Sequence, residues 1–253
     1  MKKLLGILSV VLFTVASFQV QAQDASLDEI IDNYLENIGG VDAWKEVKSM
    51  KMTGTTTTPN GVFDIEVLGM EPNLTKITVN VQNMEIVFSA YDGETGWTLN
   101  PFSGNTEAAK MPEEATAEMK KQPFQDEFID YKEKGSTVEL LGTKEIDGTE
   151  TYEVKLVNKD GVEKFYYFDT ENFVPIMQKQ TMETAPMTGM VMETYMSDYQ
   201  EVDGLMIAHS VESKIGGQSA MEMSASKIEI NAETVSKESF MMPKKVEETE
   251  DKQ

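Results

Sequence analysis

The chain has 253 residues, no cysteine and a formal net charge of −22, and every one of its 22 basic side chains is a lysine. The missing cysteine excludes disulfides, thiolate metal sites and an acylated cysteine anchor. The acidity leaves nucleic acid and anionic headgroups without a cationic footprint. A hydrophobic content of 40% at this length is enough for a packed core.

Residues 1–22 read as a secretory leader. Lys2 and Lys3 form its charged end, Leu4 to Val15 its apolar stretch, and Val20-Gln21-Ala22 offers small residues for cleavage. The run is too short to span a bilayer comfortably, so the expectation is an exported chain, soluble in a bacterial periplasm and not membrane-spanning once the leader is gone. One domain over 23–242 and a charged, disordered tail over 243–253 complete the expected organisation.

Ser26 and Glu29 have capping-box spacing ahead of Ile30, Ile31, Tyr34, Leu35 and Ile38, which recur at helical intervals. Gly39-Gly40 ends that helix, and 41–47, with Trp44, predicts a short second one. From 47 the text becomes strand and turn: 47–58, 62–70, 74–81 and 84–91, then a short run carrying Trp97 and Leu99. Residues 102–135 interrupt the pattern. Pro112 with Glu113 and Glu114 predicts one helix start and Pro123 another, the second with Phe124, Phe128 and Tyr131 on one face. That insert is either a lid over the sheet or ordinary core closure.

Asp147-Gly148 and Asp160-Gly161 then divide 137–178 into a β-meander. Tyr152, Val154 and Leu156 alternate with Glu153 and Lys155, while in the next strand Phe165 and Tyr167 oppose Tyr166 and Phe168, so both faces of that strand should meet apolar cover. Further runs at 173–183, 190–202, 205–215 and 219–230 bring the expected count to eleven or twelve strands. The fold class is mainly β, with a helical insert: a strongly curved open antiparallel sheet, an unclosed half-barrel, with helices covering its concave face.

Catalytic vocabulary is thin. His209 is the only imidazole and sits on a strand without a nucleophile elbow beside it. No catalytic residue, metal site or cofactor is expected, and the chain reads as a non-enzyme. Methionine is the unusual residue, 18 in all. Met190, Met192 and Met196 share one parity, and Met221 and Met223 repeat it on a later strand. Core filling, a pliable pocket for acyl chains and a Cu(I) thioether site all fit that pattern.

Taken in order, the leader, the helix ending in Ile38-Gly39-Gly40 before Trp44, the turn from Tyr91 to Trp97, the strand from Val138 to Gly142, Tyr166-Tyr167-Phe168-Asp169, and Tyr199 to Asp203-Gly204 resemble the outer-membrane lipoprotein-sorting protein family, with its LolA-like fold. The resemblance implies a curved sheet whose apolar hollow takes the acyl chains of lipids or lipoproteins. The candidate ligand-binding residues, chosen by parity and position on the lid, are Phe88, Trp97, Phe124, Phe128, Met190, Met192, Met196, Met221 and Met223. The expected partner is a lipid or lipoprotein acyl chain, with no nucleic acid. The other reading is a non-catalytic envelope interaction module, bound to another protein and without a ligand cavity.

Overall fold

The computed structural model describes residues 25–104, 107–183 and 187–244. The expected leader and nearly all of the expected tail lie outside the described residues. Helix α1, Leu27–Asn37, begins as its spacing predicts, with the Ser26 hydroxyl accepting from the Glu29 amide. It stops against the sheet. A Cβ on Gly39, whose φ is +111°, would come within 2.4 Å of the Gly204 carbonyl, so a glycine there both turns the chain and permits the close approach. The short α2, Val41–Lys45, follows, and its Trp44 indole donates back to the Ile38 carbonyl at 2.9 Å.

Among the described residues thirteen strands form one antiparallel sheet: β1 Ser49–Thr58, β2 Gly61–Met70, β3 Leu74–Val81, β4 Met84–Tyr91, β5 Gly96–Leu99, β6 Ala109–Lys110, β7 Thr137–Ile146, β8 Thr149–Val157, β9 Glu163–Asp169, β10 Pro175–Thr181, β11 Val191–Val202, β12 Leu205–Ile215 and β13 Gln218–Ile230. Their spatial order is β6-β5-β4-β3-β2-β1-β13-β12-β11-β10-β9-β8-β7. Two meanders, each running through consecutive hairpins, are thus joined by the pairing of β1 with β13. The outer strands β6 and β7 have no pairing with each other, and the sheet is not closed into a barrel.

Its curvature follows from one short segment. The Phe124 amide donates to the Pro72 carbonyl in the β2–β3 turn, while Glu127 meets Lys164 and Tyr166 on β9. In a flat sheet, β3 and β9 would be about 34 Å apart at about 4.8 Å per strand step. Three residues of chain span at most about 11 Å, so even long side chains cannot bridge that distance. The sheet therefore wraps around residues 122–128, which lie on its concave face.

Tyr152, Val154, Leu156, Tyr166 and Phe168 line that face on β8 and β9 and pack against Ile30, Ile31, Tyr34 and Ile38 of the first helical segment. At the other flank α3, Glu113–Lys121, covers β4 and β5; the Thr116 hydroxyl accepts from the Gly96 amide at 3.3 Å. On the convex side a 3-10 turn, Lys237–Phe240, seats Phe240 against Leu68, Leu74 and Val235. On the same side Phe165 and Tyr167 lie under Lys179, whose ammonium is 5.1 and 5.7 Å from the two ring centres.

One expectation needs correction. The Pro123 start does not open a helix: residues 123–126 are irregular and 127–135 are turns. The Asp126 carboxylate accepts the Phe128 amide at 2.8 Å, an Asx turn that competes with helical pairing, and Asp130 has φ +50°. The aromatic stripe is therefore displayed by an irregular strap.

Candidate functional site: two clefts on the concave face

The strap divides the space under the sheet. On one side is an apolar cleft of about 440 Å³ between β1–β3, the end of α3 and Phe124, walled by Met50, Met52, Val67, Thr75 and Met119. Gly69 lets the Phe124 wall seat closely on β2, because a Cβ there would lie 3.0 Å from the Phe124 ring. The Asn73 amide donates to the Lys120 carbonyl at 2.8 Å and fixes the end of α3 over the opening.

On the other side of Phe124 is a cleft of about 360 Å³ reaching Tyr34, Trp44, Lys164, Tyr166, Gln178, Met196 and Tyr199. Gln122, Pro123 and Phe124 line both clefts, so the strap is their common wall. The second cleft is the more polar of the two. Lys164 and Glu127 form an ion pair at 2.5 Å with almost no solvent contact, and the Tyr166 hydroxyl donates to the same Glu127 oxygen at 2.6 Å. The Tyr34 hydroxyl donates to Asp126 at 2.6 Å. Burial, then the neighbouring carboxylates, push the Tyr34 and Tyr166 phenols well above their usual range. Burial raises Asp126 by more than its two hydrogen bonds lower it, and it lowers Lys134, which donates to Gln125 at the mouth of the strap.

The methionines fall into register. Met196, Val211, Met223, Thr56 and Phe63 stand opposite one another across β11, β12, β13, β1 and β2. Met192 faces Ile215, and Met221 faces Ser213 beside that row. All four methionines are half-buried, and Met196 reaches the polar cleft.

The other sequence-derived candidates lie elsewhere. Phe124 is the wall just described. Phe128 is 1% exposed and packs edge-on against Tyr34, Tyr166 and Phe168. Trp97 is also 1% exposed, but on the convex side, where its indole donates to the Phe240 carbonyl at 2.9 Å. Phe88, next to a register shift in β4, is 67% exposed, and Met190 is 41% exposed in the turn before β11, its methyl near Gly216.

Sequence reasoning missed Lys164, Glu127 and Asp126. Lys164 carries a readable signal, since it shares parity with Tyr166 and Phe168 in a strand whose face is buried; a lysine there requires a partner. Sequence order does not reveal that the partner is Glu127. His209 is buried, with Nδ1 2.9 Å from the Ile207 carbonyl. Among the described residues no group of three His, Cys, Asp or Glu side chains is arranged to hold a metal ion, and no helix is long and apolar enough to cross a membrane.

No family model matches the chain, and no curated protein does either. Among solved structures it is similar to a LolA superfamily protein from Nitrosomonas europaea, with a TM-score of 0.54 and 11% identity over 86% of this chain and 98% of that one. It is also similar to a chain described as an outer membrane lipoprotein-sorting protein domain from Vibrio parahaemolyticus, with a TM-score of 0.51 and 10% identity over 83% and 97%. A DUF1329 family protein from Desulfovibrio piger gives a TM-score of 0.55 and 9% identity over 85% and 96%. At such identities the likeness establishes the fold, and the fold is LolA-like.

Proposed function

We propose that this protein is an exported, periplasmic carrier that shields the acyl chains of a lipid or lipoprotein between the curved sheet and its helical cover. The observation that carries the reading is the apolar cleft beside Phe124, of a size common for small-ligand sites. The half-buried methionines of β11 and β13 extend an adaptable apolar surface along the same face. The structures similar to this chain include one described as a lipoprotein-sorting domain, which supports the same assignment.

No catalytic group is needed to hold a tail. Each buried methylene contributes about 0.8 kcal/mol, so about ten would give about 8 kcal/mol, near micromolar affinity before ordering costs. Entry requires the Phe124 end of the strap to shift, and the main-chain tie of that end to the sheet is the bond from Phe124 to Pro72 at 3.2 Å.

The test is native mass spectrometry of protein purified without detergent, together with uptake of an uncharged long-chain acylglycerol bearing a fluorophore. Carriage predicts an adduct of lipid mass or saturable uptake. A bare protein mass with no uptake would leave the interaction-module reading.

A further inference from the structure

The two clefts share a wall, so an amphiphile lying over Phe124 would place its tail in the apolar one and its head in the polar one. That arrangement makes the head's chemistry readable from the protons available around it. The phenol and indole donors of the polar cleft are already engaged, and its buried lysine is ion-paired. Tyr34 donates to Asp126, Tyr166 to Glu127, and Tyr199 to the Pro175 carbonyl at 2.7 Å. The Trp44 indole is held by the Ile38 carbonyl, and the Lys164 ammonium is paired with Glu127.

What remains is rich in acceptors. Both donors to Glu127 converge on Oε2, and Oε1 takes no hydrogen bond among the described residues. The phenol oxygens keep their lone pairs after giving up their protons. Two carboxylates, Asp126 and Glu127, face Lys164 and, at the edge of the strap, Lys134, so the cleft holds no excess of positive charge to attract an anion. A phosphate or carboxylate brought here would find no excess of positive charge and would stand beside Asp126 and Glu127. A hydroxyl, amide or ammonium head would find acceptors waiting.

We infer that this carrier selects amphiphiles whose head donates hydrogen bonds, uncharged or cationic, and discriminates against anionic heads on the same tail. The inference rests on the carrier reading and adds head-group selection by the polar cleft between the strap, α1 and β9–β12.

Three single-tail ligands of equal chain length separate the possibilities: a monoacylglycerol, a primary alkylamine and the fatty acid. Each is titrated below its micelle concentration against the full chain at about pH 7.5, where an accessible fatty-acid carboxyl is ionised. The expected result is binding of the first two about tenfold or more tighter than the third. Glu127→Gln should narrow that gap while leaving an oxygen for Tyr166 to donate to. If this variant does not fold, Asp126→Asn, which keeps an acceptor for Tyr34, takes its place.

Equal affinities, or a preference for the fatty acid, would overturn head-group selection while leaving acyl carriage intact. A gap unchanged in the folded variant would remove the head from this cleft. Failure of all three ligands to bind would count against the carrier reading itself.

Discussion

Asp126 sits between opposing influences. Its carboxylate accepts from the Tyr34 hydroxyl and the Phe128 amide, both of which favour the charged form, yet the packed surroundings strip its water and that effect is larger. A carboxyl with a higher pKa in the folded than in the unfolded chain holds its proton more tightly when folded. Its contribution to stability is present below the unfolded value, about 3.9, and is lost as pH rises through the folded one. Asp126→Asn keeps an oxygen for Tyr34 and removes the titration. Urea unfolding of both proteins across this range should give a stability difference, wild type minus variant, that declines as pH rises and then levels off. A difference that grew with pH would mean that the hydrogen bonds outweigh burial. The same residue shows what single positions conceal. Asp126 reads in sequence as one more acid among 44, because its partner Tyr34 lies 92 residues away. Met192, Met196, Met221 and Met223 are different, since alternation within a strand already assigns each a side.

The strap is the element on which pattern and structure part. Phe124, Phe128 and Tyr131 have the spacing of a helical face, but the Asx turn at Asp126 and the left-handed Asp130 give the chain another way to satisfy its amides. The two phenylalanines consequently acquire different roles. Phe128 is enclosed by three rings, so Phe128→Ala should cost about 3–5 kcal/mol, read as a lower urea midpoint at unchanged slope. Phe124 is half-buried between two open clefts, and its truncation should cost only about 1 kcal/mol. Its larger effect should be on ligand uptake, because the wall between the clefts disappears. Equal destabilisation by both changes would make the strap ordinary core. Trp97 was just as hard to place from the text. Its neighbour Gly96 faces α3, so alternation sends the indole to the convex side, but that inference needs α3 to be located first.

At the scale of the whole molecule, the hairpins were readable and their union was not. Asp147-Gly148, Asp160-Gly161 and Asp203-Gly204 mark turns between strands that do pair, because a tight turn is a local event. The pairing of β1 with β13 joins strands from opposite ends of the described chain, and no turn sequence announces it. The bend of the sheet emerges only when residues 122–128 are seen tied to both β9 and the β2–β3 turn. Charge acts at this same scale. Acidic residues outnumber lysines by two to one. The exposed pairs, such as Lys155 with Glu163, are of a kind worth about 0–1 kcal/mol each. Mutual repulsion among the excess carboxylates opposes compaction, and its range is the Debye length, which shrinks from about 30 Å at 0.01 M salt to well under 10 Å at 0.5 M. The urea midpoint should therefore rise when sodium chloride is raised between those concentrations at neutral pH. Chloride is the right anion for the measurement, since sulfate would also strengthen apolar burial. A midpoint that fell with salt would mean that the exposed ion pairs, such as Lys155 with Glu163, outweigh the general repulsion.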